Sequence, residues 1–297
     1  MKKLILTVPF LYLSSILHAQ LVDDVLNFYS GTEQEAYFSP VADIMTSASH
    51  AGLVDRMPLE EGFHLSFKIV TSASFVFGDQ LKYFNPEEDD NYNYPANFQA
   101  PTFLGPAETV FVQNEENGTA KAHSPGLGTR YLTSGVPQLT IGNFAQTSVA
   151  LRGLIVPIKS ADGSLTWLGG TIQHNLGQYF IESADWGLVL ALSYQQVKLK
   201  NHFDFSSQHV QLRFGKQKEK FHYQAFLAYQ NGKLNTDFEY EKNGGGQDKF
   251  INSYTNNNKL AGGIGAGLNL SGFTLNSDIT FLNPTVVSAQ LGFMIGK

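Results

Sequence analysis

Apolar and polar positions begin to alternate with a period of two just after Gly62. Phe63, Leu65, Phe67, Ile69, Thr71, Ala73, Phe75 and Phe77 fall on one face of an extended chain, and His64, Ser66, Lys68, Ser72 and Ser74 on the other. Successive side chains of a strand point to opposite faces, so this stretch predicts a long strand with one greasy surface. The closing stretch, FTLNSDITFLNPTVVSAQLGFMI, repeats the pattern on both sides of an Asn283-Pro284 turn. Between them lie further candidates at 132–143, 147–158, 165–176, 186–199, 206–216, 220–231 and 258–270. With 62–77, 273–282 and 286–296 the pattern predicts about 10 strands.

The connections sort by length. Taking the first strand as outward, 78–131, 159–164, 200–205, 232–257 and 283–285 lie at one end, and 144–146, 177–185, 217–219 and 271–272 at the other. Both long connections, 78–131 and 232–257, therefore fall on one side, with Glu87-Glu88-Asp89-Asp90 in the first and Asn243-Gly244-Gly245-Gly246 in the second. A short strand at Thr109–Gln113 suits an extra hairpin within the first. Short turns at one end and long loops at the other mark membrane barrels. The fold class expected is all-β: an antiparallel transmembrane β-barrel whose last strand pairs with its first. A soluble barrel shares the alternation but turns its greasy face inward. Strand length, loop asymmetry and a leader favour the membrane.

That leader is Lys2-Lys3, an apolar run Leu4–Leu17 and His18-Ala19-Gln20. Positive start, short apolar core and small residue define an export signal, with cleavage expected after Ala19. Residues 1–19 are thus read as a signal peptide, 20–60 as a helical N-terminal segment and 61–297 as the barrel. Within 20–60, Leu21, Val22, Val25, Leu26 and Phe28 have near-helical spacing, and a second short helix is expected from Pro40 to about residue 50.

Composition narrows the function. The chain has no cysteine, which excludes disulfides and thiolate metal sites. Its formal charge is −6, and −8 once Lys2 and Lys3 are removed, because residues 1–19 hold no acid. That balance argues against nucleic-acid binding, which relies on basic patches. Twenty-three Phe and 13 Tyr suit strands and membrane interfaces.

Motifs add little chemistry. Gly263, Gly265 and Gly267 form GxGxG inside a strand, without the helix a dinucleotide site requires, and read as thinning the inner wall for curvature or the close approach of a plug. Glu87–Asp90 lacks the spacing of a calcium loop, and neither HExxH nor GxSxG occurs. No cofactor and no metal site are expected. Strand parity names the lumen-lining candidates: His64, Lys68, Arg152, Arg213, Asp278, Asn276 and Gln290. The acidic segment 21–57, with Asp23 and Asp24 as plug candidates, is expected either to dock in or beneath the lumen against those bases or to remain a solvated helix.

The leader ending His18-Ala19-Gln20, the stretches VPQLTIGNFAQTSVALRGLIVPI (136–158) and TWLGGTIQHNLGQYF (166–180), and the closing hairpin together resemble an uncharacterised domain-of-unknown-function family of outer-membrane barrels from Bacteroidota. The resemblance implies the outer membrane and supplies no catalytic residues. A looser likeness connects the chain to long-chain fatty-acid channels, which carry an N-terminal plug. Three functions stay open: a narrow, gated channel or transporter for small or hydrophobic solutes; a structural or surface-interaction barrel acting through 78–131 and 232–257; and an enzyme using Asp79, Asp204 and His202 at the rim. Expected partners are outer-membrane lipid, the barrel-assembly machinery and a small solute.

Overall fold

A computed structural model describes residues 29, 31–54, 62–87, 92–114, 118–158, 163–200, 202–241, 247–270, 272–281 and 284–296. The elements run α1 (Gly31–Ser49), β1 (His64–Phe75), α2 (Asp79–Lys82), β2 (Tyr83–Phe84), β3 (Ala100–Pro101), β4 (Val110–Gln113), β5 (Ala120–His123) and β6 (Tyr131–Phe144). They continue as β7 (Thr147–Ile158), β8 (Gly163–Asn175), a 3₁₀ turn (Leu176–Tyr179), β9 (Trp186–Leu199), β10 (Phe203–Lys218) and β11 (Phe221–Glu241). The last are β12 (Gln247–Thr255), β13 (Leu260–Leu270), β14 (Phe273–Phe281) and β15 (Thr285–Gly296).

Ten of these strands close an antiparallel barrel in the order β10-β9-β8-β7-β6-β1-β15-β14-β13-β11, with β11 returning to β10. The first and last strands pair from His64↔Gly296 to Phe75↔Thr285, as the alternation requires. Closure leaves no sheet edge within the barrel, which is the condition for putting strands into lipid. A 12-residue strand such as β1, at about 3.3 Å per residue and a tilt of about 40°, reaches across roughly 30 Å of hydrocarbon.

Side-chain exposure decides between the soluble and the membrane barrel. Outward-facing Leu151 is 53 % exposed and Leu227 73 %, whereas inward-facing Lys68 and Arg213 are each 1 % exposed. Water would penalise that inversion, and lipid rewards it. Aromatic rings flank the apolar band: Phe63 with Phe144 and Trp186 with Phe214 near the short turns, Phe75 with Phe77 and Tyr131 near the loops. Tyr and Trp settle at the two interfaces because their rings are apolar and their polar atoms stay wet.

Two expectations change. Residues 232–257 are not an open loop: β11 runs 21 residues and pairs with β12 from Lys233↔Thr255 to Glu241↔Gln247 as a hairpin standing beyond the barrel. The helix expected near 40–50 begins at Gly31, with Pro40 inside it. Within 78–131 the strand expected at Thr109–Gln113 is present as β4, in a hairpin with β5, and α2 and the β2–β3 pair join it to form a cap at the loop end. The leader, residues 1–19, and the helical reading of residues 21–28 lie outside the described residues.

Candidate functional site

The bore of the barrel is occupied by α1. Helices on a protein surface keep a polar face, but α1 buries residues all round its circumference: Tyr37, Phe38, Ala42, Asp43, Ile44, Thr46, Ser47 and Ser49. Its 19 residues span about 28 Å, close to the thickness of the hydrocarbon layer. The helix starts at the loop end, where Tyr29 packs on Phe84 and the Tyr37 hydroxyl donates to Pro125 O at 2.7 Å. It finishes deep in the barrel, and residues 50–54 continue down the inner wall. The described stretch 31–54 thus runs from the loop end down the axis of the bore.

Polar side chains of the wall hold the lower end. Arg152 of β7 donates to Ser49 O at 3.0 Å, Ala51 O at 2.8 Å and Gly52 O at 2.7 Å, with its Nε on Gln138 at 2.8 Å. These carbonyls lie past the last helical hydrogen bonds and carry the negative end of the helix dipole, so a guanidinium satisfies both needs at once. Gln173 of β8 donates to Leu53 O at 2.8 Å, and Val54 packs on Val189 and Ala191 of β9. Gly52 adopts φ 62, and a Cβ there would lie 2.8 Å from Val70 and 2.9 Å from Gln290, so glycine is required at this turn.

Higher up, Ser49 and Ser207 hydroxyls meet at 3.0 Å, Gln230 donates to Ser47 at 3.1 Å, and the Asn258 N–H donates to Asp43 at 2.9 Å. Helix and wall are in tight contact at Gly232, where a Cβ would collide with the Thr46 hydroxyl.

The inner wall has two zones. Toward the short turns it is polar: His64, Lys68, Gln138, Arg152, Gln173, Gln211, Arg213, Gln224, Asn276, Asp278 and Gln290 are all buried there. Arg213 grips Asp278 through both Nη atoms, at 3.0 and 3.3 Å, and Gln224 donates to the same carboxylate at 2.9 Å. Toward the loops the wall is apolar, with Ile158, Leu165, Trp167, Val197, Leu199, Phe203, Phe205 and Leu234 buried together with Ile44 and Phe38 of the helix. Between α1 and this apolar wall lies a cavity of ≈ 50 Å³, lined by Ile44, Met45, Ala48, Leu132, Leu165, Trp167, Val197 and Phe203 among others.

All seven lumen-lining candidates (His64, Lys68, Arg152, Arg213, Asp278, Asn276 and Gln290) are buried on the inner wall. What they touch differs from the expectation. Arg152 meets backbone carbonyls of the plug rather than its acids, and Arg213 serves a wall acid. Asp43 and Glu33 turn toward groups of the loop end, Asn258 and Lys121. Asp23 and Asp24 lie outside the described residues. The glycines 263, 265 and 267 make room for wall side chains, Phe226, Asp278 with Gln224, and Asn276 with His222, rather than for the plug. At the rim, Asp204 accepts from Gln196 at 3.0 Å and lies 3.8 Å from Lys198, so it is engaged by neighbours on its own sheet. His202 Nδ1 meets Lys200 O at 2.9 Å, and Asp79 opens α2 in the cap.

Strand parity would also have found Gln173, Ser207, His209 and Gln230, which share the inward face. No sequence signal joins them to Leu53, Ser49, His50 and Ser47, because those partners sit on a separate element more than a hundred residues away.

A family model matches residues 1–295. The chain belongs to DUF6588, a family of unknown function. Among curated proteins, none matches this DUF6588 chain in sequence. Solved structures similar to it include the toluene transporter TbuX of Ralstonia pickettii, at 11 % identity over 88 % of this chain and 93 % of that one, TM-score 0.28. The toluene transporter TodX of Pseudomonas putida has 10 % identity, coverage of 91 % and 93 %, and TM-score 0.20. Ail, the attachment invasion locus protein of Yersinia pestis, has 12 % identity, coverage of 80 % and 100 %, and TM-score 0.26.

Proposed function

We propose that this DUF6588 chain is an outer-membrane barrel that passes small apolar solutes, with α1 as the element that must move. The apolar cavity between α1 and the wall carries the reading. An interior that is polar in its lower half has no structural need for an apolar recess in its upper half beside a removable element. At ≈ 50 Å³ the recess exceeds the roughly 10–15 Å³ that one water needs, and its walls offer a water few partners. A solute larger than the recess must push on Met45, a flexible side chain that repacks readily, or on the helix itself. Any solute that fits better with the helix displaced shifts the chain toward that state.

The lower end of α1 suits such a displacement. The hydrogen bonds at this end are made by hydroxyls, amides and one guanidinium, groups that water can satisfy once the helix has left. Export by residues 1–19 would place the barrel in the outer membrane, with lipid and the assembly machinery as its partners.

The two tryptophans allow a direct test. Trp186 lies on the outer surface and Trp167 lines the recess. In a Trp186→Phe background, a brominated alkane is expected to quench Trp167 saturably, and Ala48→Phe, which fills the recess, to abolish saturation. Quenching that stays linear with concentration, or is unchanged by Ala48→Phe, overturns the reading.

A further inference from the structure

We infer that His50 and His209 form an acid-sensitive latch that holds α1 in the bore at neutral pH and releases it when both imidazoles protonate. This rests on the proposed function, since it names how the same plug is regulated. His50 follows the last residue of α1, and His209 sits on the inner face of β10. The two rings stack at 4.4 Å between centroids, 16° from parallel, and are 5 % and 4 % exposed. Neither nitrogen of His50, nor Nδ1 of His209, has a hydrogen-bond partner among the described residues. They border a cavity of ≈ 10 Å³ lined by Ser47, Gln211, Arg213, Gln230 and Asp278 among others. That space suits at most about one water.

The surroundings oppose a charge on either ring. Arg152 from β7 binds the carbonyl of Ser49, the residue before His50, and Arg213 from β10 shares the small cavity with both rings. The acid lining that cavity, Asp278 of β14, is already held by Arg213 and Gln224. Asp43, two turns earlier on α1, turns to the Asn258 N–H. Lys68 of β1 adds a further cation to the same polar zone of the wall. The helix C-terminus, which would otherwise attract a cation, already has its carbonyls on Arg152. A proton on one ring therefore faces a second imidazole and two guanidinium groups, with both nearby carboxylates already engaged. Withdrawing α1 takes His50 into water and opens His209 to it.

The size of the response follows from linkage. If a ring remains neutral while the helix is docked and titrates near 6.5 once released, the released state gains about 30-fold per ring between pH 7.5 and pH 5. Two rings together give roughly 900-fold.

Helix position is read by electron–electron distance measurements between nitroxides on Glu35→Cys and Lys200→Cys, both exposed and free of competing native thiols. The released population is expected to grow steeply from about pH 7.5 to about pH 5 in the parent. It should keep about one of the two factors in His50→Gln or His209→Gln, and neither in the double variant. A second arm leaves both histidines in place: without the nitroxides, a disulfide between Ser49→Cys and Ser207→Cys, whose hydroxyls lie 3.0 Å apart, should abolish acid-induced conductance until it is reduced. A parent distance distribution that ignores pH, a double histidine variant that responds like the parent, or acid-induced conductance through the cross-linked form overturns the latch. Acid release of the helix with no saturable quenching of Trp167 would sink the passage reading and leave the latch standing.

Discussion

Replacing Arg152 by Met should free the plug, because this one side chain closes three plug carbonyls with the bonds of 3.0, 2.8 and 2.7 Å to Ser49, Ala51 and Gly52. Hydrogen bonds to a charged donor contribute about 1.5–3 kcal/mol each, and a buried carbonyl stripped of its donor loses about 1–3 kcal/mol. Three such losses sum to more than about 4 kcal/mol, and relaxation with some water entry brings the net to about 3–5 kcal/mol. At about 1.36 kcal/mol per decade, the undocked fraction rises between about 100-fold and several thousand-fold. Met keeps most of the volume, so the barrel itself should close normally. Folding is verified by heat-modifiable mobility in detergent gels, and docking by the nitroxide distances or by conductance in planar bilayers at neutral pH. Arg152→Lys, a single ammonium without the fork, should fall between parent and Met. A folded Arg152→Met barrel whose undocked fraction rises less than about tenfold would refute the account of how the plug is held.

Elsewhere on the wall, Asp278→Asn leaves the guanidinium of Arg213 buried without its charged partner and should cost about 3–5 kcal/mol in urea unfolding, while Arg213→Met with Asp278→Leu should recover much of that loss; equal losses in the single and double variants would contradict it. Gly232→Ala puts a Cβ on the Thr46 hydroxyl, so it should raise the undocked fraction, and adding Thr46→Ala should partly restore docking in the same distance measurement. In the cap, burial and then Lys121 lower His123 from 6.5 to about 4. A base with a depressed folded pKa makes the folded form less stable as pH falls, because the open form binds the proton first. Cap stability should therefore decline from about pH 6.5 to about pH 4 and level off below, seen as faster hydrogen exchange over residues 100–127 after correction for intrinsic rates. His123→Gln should remove that slope.

Much of the barrel was legible because lipid imposes a harsh rule on each strand. An outward position in the bilayer must be apolar, so β1, β7, β9, β14 and β15 announce themselves by parity alone. The same rule explains the shortfall at β11. Beyond Gln230 its outward positions are Asn231, Lys233 and Asn235, which face water above the membrane, and the greasy alternation stops although the strand does not. The plug helix was harder to place. Past its first turns it is enclosed by the wall and shows no single apolar stripe, and those first turns, ahead of Pro40, carry polar residues that read as loop.

Ten barrel strands, their antiparallel order and the closure of the last on the first were written in the chain. They follow from local periodicity and connection length, both one-dimensional properties. What fills the bore, the binding of Arg152 to backbone carbonyls rather than acids, and the stacking of His50 on His209 emerged with the folded molecule. A backbone carbonyl leaves no mark in the choice of residue, and two histidines on separate elements have no spacing to betray them. Packing brings them together, and with them the contacts that hold α1 in the bore.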